Sequence, residues 1–404
     1  MIKIALVADQ LCGSSPTDVY PGPAERRVLS LASALAGGDH EVTVYSRRPS
    51  AARGHAADRP GVSVELVDAG PRRPLSGDLL LPHIAVFADQ LADRWRSGAP
   101  DVVHAQSWTS GVAAVAGARG LGIPLVVTLH PPGAGVESGQ QRQSADPGVR
   151  ERMEASLTRS VQAVLVDSSQ DATRLGRLTA SRPDAPSASV RVVPPGVDTE
   201  RFGPDGPTAA RGSRPRLLVV GPPSDGPDLA TSLYALAELP NAEVVVAGGP
   251  ARGRLRRDPG YRALTGLARQ LGVADRLTCT GAVREADMPE LMRSADVLVH
   301  LTQDHRYAMV PVEAMACGTP VIAAAGGAQP DAVIHENTGF LVPPEEPAQL
   351  VRRIRQLLAN PMLLEGYGIA AARRAADRFS WERIGQETMA VYEALVGPRE
   401  PAVA

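Results

Sequence analysis

Short apolar runs alternate with amphipathic segments along most of the chain. The first apolar run, at residues 4–8, has the length of a buried strand, and residues 24–36 carry apolar side chains at helical spacing. The same succession of strand and helix recurs many times. Strands that alternate with helices predict a parallel sheet with helices on both faces, so we assign the chain to the α/β class.

The alternation is interrupted near the middle of the chain by residues 203–215, which are rich in Gly, Pro and Arg and are typical of a linker. The chain has 404 residues, which suits two or three domains. We therefore predict two doubly wound, Rossmann-like domains. The other predicted strands are residues 41–45, 63–67, 101–105, 125–129, 163–167, 216–220, 243–247, 276–279, 295–301 and 321–324. The other predicted helices include residues 228–239, 261–271, 310–317, 347–359 and 381–395.

Composition and charge exclude several classes of function. The net charge is -2, which gives no general affinity for polyanions, and aromatic residues make up 3% of the chain, too few for a surface that stacks single-stranded nucleic acid. The three cysteines, Cys12, Cys279 and Cys317, are far apart and lack the spacing of metal ligands. We expect free thiols in a cytoplasmic protein, and no apolar stretch approaches the length of a membrane span.

The segment of residues 304–320 carries the most informative chemistry. It follows an apolar run, and residues 309–317 have the spacing of a helix with Glu313 near its start. Backbone N–H groups at a helix start lack partners and attract anions. A carboxylate there can also accept two hydrogen bonds from a ribose diol, although a plain first-turn glutamate fits the same pattern.

The string PVEAMACGTPVIA, at residues 311–323, closely resembles the nucleotide-sugar site of the family 4 retaining glycosyltransferases. Further resemblance lies in PDVVHAQSWTSG at residues 100–111, in PLVVTLH at residues 124–130 and in VRVVPPGVDTERF at residues 190–202. The resemblance implies the GT-B fold. It places an acceptor-side domain at residues 1–202 and a nucleotide-sugar domain at residues 216–380, with ligands in the cleft between them. Residues 381–404 are then a helix that crosses back to the first domain.

The same resemblance implies a reaction. A sugar moves from a nucleoside diphosphate sugar to an acceptor that the sequence does not identify, with retained configuration and with no protein nucleophile, metal or other cofactor. Nucleic acid is not expected as a partner, and peripheral membrane contacts and homo-oligomer contacts remain open. A dinucleotide oxidoreductase fits poorly, because no proper G-x-G-x-x-G motif follows the first strand.

On the donor side, the resemblance assigns roles to five residues. Glu313 binds the ribose, and the N–H groups of Met309 and Val310 hold the diphosphate. Gly22 and Gly221 let the backbone approach the phosphates.

On the acceptor side, His130 matches the family histidine near the anomeric carbon of the donor, although a structural histidine at a sheet edge fits the same position. The string HAQSW places His104 where the family has the first of two histidines. The resemblance puts His104, Trp108 and Ser110 in the acceptor-side strand and loop.

Several positions depart from the family pattern. His305 stands where the family has the first Glu of a Glu-x7-Glu pair, and we include it with His130 as a catalytic candidate, because a protonated imidazole can contact phosphate. Pro23 replaces a glycine, and Pro222 replaces an arginine that follows Gly221. Asp225 or Gly226 stands where the family has a lysine.

These changes remove contacts to the diphosphate, so we expect weak turnover. They also favour an alternative, a catalytically impaired or inactive relative that binds sugar nucleotides or acts as a partner. The arginine run at residues 252–257 offers replacement charge, although a solvated run is the simpler interpretation.

Overall fold

The computed structural model of the chain describes residues 1–9, 11, 25–48, 59–73, 75, 77–130, 147–180, 188–223, 227–302 and 308–397. These residues form two compact units. Among the described residues, unit 1 contains those up to Gly196 and those from Trp381 onward, and unit 2 contains residues 197–380. Residues 197–202 group with unit 2 rather than with the first domain, because the Val197 N–H donates to the Phe379 carbonyl at 2.7 Å and Phe202 is buried in the core of unit 2.

Unit 1 contains a seven-stranded sheet of order β3-β2-β1-β4-β5-β6-β7, in which all neighbours are parallel. Its strands are β1 (Lys3–Ala8), β2 (Glu41–Arg47), β3 (Val62–Val67), β4 (Val102–Ala105), β5 (Leu125–Leu129), β6 (Ala163–Val166) and β7 (Ser189–Val192). Its helices are α1 (Glu25–Ala36), α2 (Gly77–Leu80), α3 (Ile84–Ser97), α4 (Trp108–Gly117), α5 (Pro147–Leu157), α6 (Ser169–Thr179) and α14 (Trp381–Val396).

Apolar side chains leave both faces of this sheet, as a parallel sheet between helix layers requires. Along β1, Ile4 and Leu6 enter one core cluster, while Ala5 and Val7 enter the cluster on the opposite face. The C-terminal helix α14 completes one of these layers. Gly385 of α14 comes so close to α1 that a Cβ at that position would lie 3.1 Å from the Ala34 Cβ.

Unit 2 contains a parallel six-stranded sheet of order β10-β9-β8-β11-β12-β13. Its strands are β8 (Arg216–Val220), β9 (Glu243–Ala247), β10 (Leu277–Gly281), β11 (Val297–His300), β12 (Val321–Ala324) and β13 (Gly339–Val342). Its helices are α7 (Pro227–Ala237), α8 (Pro259–Gln270), α9 (Met288–Arg293), α10 (Val310–Ala316), α11 (Gln329–Ala332), α12 (Pro347–Leu358) and α13 (Pro361–Phe379). The two sheets confirm the predicted fold class of two Rossmann-like domains.

The longest helix of the described chain, α13, was absent from the sequence prediction. It contains Gly366 and Gly368, which weaken a helix on its own. Tertiary packing explains both its presence and one of its glycines: a Cβ on Gly368 would lie 2.4 Å from the Gly318 carbonyl oxygen, just beyond α10. The strands β7 and β13, each of four residues, were also missed.

Candidate functional site

His130 and Asp167 lie side by side at the carboxyl edge of the sheet in unit 1. His130 directly follows β5, Asp167 directly follows β6, and these two strands are neighbours with Leu129 paired to Val166. The Nδ1 atom of His130 is 2.9 Å from Oδ2 of Asp167. The two side chains are 23% and 13% exposed, so the imidazole is held by the protein and still reaches solvent.

Arg27, in the first turn of α1, approaches the same carboxylate. Its Nη2 atom donates to Oδ2 of Asp167 at 3.1 Å, so one oxygen accepts from both the guanidinium and the imidazole. Burial alone would raise the pKa of Asp167, but the charges and hydrogen bonds of His130 and Arg27 hold that pKa well below its usual range. Asp167 is therefore a carboxylate at neutral pH.

The backbone of His130 is held from the other side by Arg150 of α5. Arg150 donates one hydrogen bond to the His130 carbonyl through Nη2. Its Nε donates to Oε1 of Glu154 at 2.7 Å, and Arg174 of α6 donates to Oε2 of Glu154 at 2.8 Å. Because the Glu154 side chain is fully buried, this pair of ion pairs fixes both helices and the end of β5.

A second polar cluster follows β1 and β4. Asp9 accepts hydrogen bonds from Ser107 Oγ at 2.8 Å and from Thr109 Oγ1 at 2.6 Å. Burial raises the pKa of Asp9, and these hydrogen bonds offset the rise only in part. Ser107 also caps α4 by accepting from the Ser110 N–H at 3.0 Å. Ser110 itself is fully buried, so it serves the start of this helix.

His104 lies inside the core of unit 1. Its Nδ1 is 2.5 Å from the Tyr392 hydroxyl of α14, and its Nε2 is 2.7 Å from Thr128 Oγ1. Complete burial lowers the pKa of His104 to about 3, with a smaller contribution from the charge of His130. Trp108 is also buried, in the core cluster. His104, Trp108 and Ser110 are therefore buried among the described residues of unit 1, and their place on the acceptor side stays a prediction.

In unit 2, Glu313 lies in the first turn of α10, as expected, and its side chain is partly exposed. Met309 precedes the helix and is partly buried, whereas Val310 is 1% exposed. These residues occupy one end of α10, beyond β11 at the carboxyl edge of the sheet. Ligands of doubly wound sheets bind at this edge.

The ends of β8 and β9, at the carboxyl edge of the same sheet, carry glycine and proline residues. Gly221 follows β8 with φ of +156°, and no described atom lies within 4 Å of the position that a Cβ on it would occupy. Gly248 and Gly249 follow β9, and Pro223 packs against Gly249, where a Cβ would lie 2.5 Å from its Cδ. Pro222 offers neither a charge nor an N–H at this edge. Beyond β9, the four arginines of residues 252–257 are exposed to solvent.

The remaining predicted positions fall outside the described residues. They are Gly22 and His305 from the site prediction, and Pro23, Asp225 and Gly226 from the departures. Within the described part of the chain, no group of three His, Cys, Asp or Glu side chains has the arrangement of a metal site. No helix in that part has the length and apolarity to cross a membrane.

Asp167, Arg27 and Arg150 were missed from the sequence. A signal for Asp167 was available, because an acidic residue directly after a predicted strand falls at the same sheet edge as His130. The two arginines belong to helices that contact this edge, and no local pattern distinguishes them from other helical arginines. Their roles depend on how α1 and α5 pack.

Comparisons with known proteins identify the family. The model of the family described as "Glycosyltransferase Family 4" matches residues 23–201, and that of "Glycosyl transferases group 1" matches residues 209–374. The D-inositol 3-phosphate glycosyltransferase of Streptomyces bingchenggensis is 33% identical, over 92% of this chain and 85% of its own. The enzyme of the same name from Streptomyces coelicolor is 32% identical, over 91% of this chain and 86% of its own.

Solved structures share the fold at lower sequence identity. Sucrose-phosphate synthase from Thermosynechococcus elongatus superposes with a TM-score of 0.77 at 22% identity, over 97% of this chain and 99% of its own. Anabaena Alr3699/HepE, solved in complex with UDP and glucose, gives a TM-score of 0.69 at 20% identity, over 98% of this chain and 100% of its own. From the family matches and these structural neighbours together, the chain belongs to the family 4 glycosyltransferases and has their GT-B fold.

Proposed function

We propose that this glycosyltransferase moves a hexosyl group from a nucleoside diphosphate sugar to an inositol phosphate, with retention of configuration and without a metal ion. The observation that carries the proposal is the similarity over 92% of the chain to D-inositol 3-phosphate glycosyltransferases, together with a partly exposed His130 at the carboxyl end of β5. The GT-B neighbour solved with UDP and glucose supports a nucleotide sugar as donor.

In this proposal Glu313 binds the nucleotide. Its carboxylate accepts hydrogen bonds from the two ribose hydroxyls, each worth about 1.5–3 kcal/mol because the acceptor is charged. The diphosphate lies next to the backbone of Gly221, where no described atom is within 4 Å of the position of a Cβ. The nucleotide is thereby held mainly by unit 2.

The chemical step needs no protein nucleophile. The bond between the anomeric carbon and the diphosphate oxygen breaks, and an acceptor hydroxyl forms the new bond on the same face of the sugar. The hydroxyl proton passes to a phosphate oxygen of the leaving nucleoside diphosphate, so the charges balance. His130 orients a hydroxyl group at the reacting centre, and orientation of this kind lowers the activation barrier.

A second candidate is a catalytically impaired relative that binds the donor and turns it over slowly. The observation that favours it is the rigid pair Pro222 and Pro223 packed on Gly249, in place of a cationic loop. Loss of two charge-assisted contacts at about 1.5–3 kcal/mol each would slow the reaction on the order of 10²- to 10⁴-fold.

Turnover measured by mass spectrometry separates the two candidates. Sugars linked to UDP, GDP and ADP are each incubated with D-inositol 3-phosphate, with and without EDTA. Sustained formation of a glycosylated product, unaffected by EDTA and retained in configuration by NMR, supports the transferase. Nucleotide binding with no product from any donor supports the impaired relative, and activity that EDTA abolishes contradicts the metal-free mechanism.

Restoring the missing charges tests the cause of any weak turnover. We expect the double variant Pro222→Arg/Asp225→Lys to raise kcat about tenfold or more, because the added cations stabilise the leaving diphosphate. The matched control places the same two cationic side chains at two exposed positions of α13, in Met362→Arg/Ile369→Lys, and should leave kcat unchanged. If the wild type turns over robustly and the variant Pro222→Arg/Asp225→Lys is slower, the missing charges do not limit the reaction, and the present residues at this edge suit the donor.

A further inference from the structure

His130 is fixed at two points. Its Nδ1 atom is 2.9 Å from Oδ2 of Asp167, and its carbonyl oxygen accepts a hydrogen bond from Arg150. A hydrogen bond on the ring and another on the backbone of the same residue leave little freedom for the side chain. Nε2 is the ring atom of His130 for which the described residues provide no partner.

The identity of the partner at Nδ1 determines where the imidazole carries its proton. An ionised carboxylate can only accept hydrogen bonds, so the Nδ1 atom that faces Asp167 must bear hydrogen. In the neutral ring Nε2 is then an acceptor with a free lone pair. Arg27 donates to the same carboxylate, which favours its ionised form.

Arg27 stabilises the Asp167 carboxylate that faces His130. Its Nη2 atom donates to the same Oδ2 at 3.1 Å, and the Asp167 side chain is 13% exposed. The guanidinium compensates the charge of a carboxylate that has lost most of its water. Because Arg27 lies in the first turn of α1, it also ties this helix to the ends of β5 and β6.

We propose that Asp167, supported by Arg27, is a positioning residue that holds His130 in the Nδ1–H tautomer, so that Nε2 accepts a hydrogen bond from a substrate hydroxyl. The ligand group at this position is a hydroxyl of a sugar or polyol rather than a phosphate oxygen, because a phosphate oxygen has no hydrogen to donate to a neutral Nε2 at alkaline pH. The tautomer follows from the structure alone. The identity of the substrate that donates to Nε2 rests on the proposed function.

The first measurement is the tautomer of His130 in the unliganded protein. Two-bond ¹⁵N–¹H NMR spectra at about pH 8.5, above the usual histidine pKa, distinguish a protonated nitrogen from a bare one. The signal is assigned by its loss in His130→Ala. We expect Nδ1–H in the wild type and a shift towards Nε2–H in Asp167→Ala. A wild-type ring protonated at Nε2 alone would overturn the proposal, whether or not any variant folds.

The second measurement is the split between kcat and KM. Asp167→Ala should lower kcat on the order of 10- to 100-fold, the equivalent of one oriented hydrogen bond, and change the donor KM less than about threefold. The control is Asp68→Ala, because Asp68 is also a carboxylate with arginine partners. It accepts a hydrogen bond from Arg48 Nε at 3.1 Å and forms an ion pair with Arg72 at 3.2 Å, and no histidine is among its partners in the described part of the chain. Asp68→Ala should leave kcat and the tautomer unchanged.

The two measurements distinguish a failure of the proposed function from a failure of the positioning role. An inactive wild type with the Nδ1–H tautomer would contradict the proposed function and support the positioning role. An active enzyme whose kcat is the same in Asp167→Ala and Asp68→Ala would contradict the positioning role and leave the transferase assignment intact. Arg27→Ala, which keeps Asp167 itself, should retain the tautomer and lower kcat less than Asp167→Ala does.

Discussion

The carboxyl edges of the two sheets differ in the residues that form them. In unit 1 the edge carries charged side chains that hold one another, with His130, Asp167 and Arg27 in one hydrogen-bonded group. In unit 2 the ends of β8 and β9 carry Gly221, Gly248 and Gly249, with proline beside them. Among the described residues, the first edge presents oriented side chains, and the ends of β8 and β9 at the second edge present mainly backbone.

In the proposed function the two edges have different tasks. Fixed side chains suit a chemical step, because their orientation is set before the substrate arrives. Glycines suit the binding of a bulky anionic group, because they let the backbone approach it without a Cβ. The proposed function uses the two edges in this way, with chemistry assigned to His130 and nucleotide binding assigned to Glu313 and its surroundings.

The need for glycine at the carboxyl edge of unit 2 can be tested by measuring the free energy of unfolding of alanine variants. Gly248 has φ of +135°, and a Cβ there would lie 2.8 Å from the Gly221 carbonyl oxygen. We expect Gly248→Ala to lower the free energy of unfolding by about 3–5 kcal/mol, since backbone strain and a backbone clash add together. Gly221→Ala is the matched variant, with φ of +156° and no described atom near its Cβ position.

Gly221→Ala should lower the free energy of unfolding by no more than about 1–3 kcal/mol, the cost of the strained φ alone. Urea denaturation monitored by circular dichroism measures both variants. Equal losses in the two variants would show that close backbone packing does not account for the glycine at position 248.

The buried polar contacts of unit 1 predict a pH effect. The pKa of His104 is about 3 in the folded protein and about 6.5 in an unfolded chain. Between these two pH values, the unfolded state binds a proton on His104 and the folded state does not. Its contribution to stability is complete above pH 6.5 and is lost as pH falls towards 3. Between about pH 7 and pH 5 this amounts to about 2 kcal/mol of unfolding free energy.

This loss should disappear in His104→Gln, measured as the difference in unfolding free energy between the same two pH values. The control is His83→Gln, because His83 lies in unit 1 with part of its surface exposed. It should keep the wild-type pH dependence. A loss of the same size in both variants and the wild type would contradict the account of His104 as a neutral buried link to Tyr392.

Much of the fold follows from the sequence pattern, and the exceptions have physical causes. The strands β5, β8, β9 and β12 have the predicted bounds, because buried parallel strands are short apolar runs with sharp ends. The helix α13 was missed because its glycines disfavour helix locally and its packing on the chain beyond α10 is not visible in a periodicity.

The site was less predictable from sequence than the fold. Glu313 and His130 occupy the expected helix start and strand end, because both positions follow from local pattern. The resemblance placed His104, Trp108 and Ser110 on the acceptor side, and it did not indicate that all three side chains are buried. Which polar residue turns inward depends on partners far away in sequence, such as Tyr392 for His104.

Titration of UDP by calorimetry tests the division of labour most directly. The account predicts that Glu313→Ala weakens UDP binding on the order of 10²- to 10⁴-fold, because two hydrogen bonds to the ribose are lost, whereas His130→Ala changes the Kd less than about threefold. If His130→Ala weakened UDP binding as much as Glu313→Ala does, or if Glu313→Ala bound UDP like the wild type, the assignment of nucleotide binding to unit 2 and of chemistry to unit 1 would be contradicted.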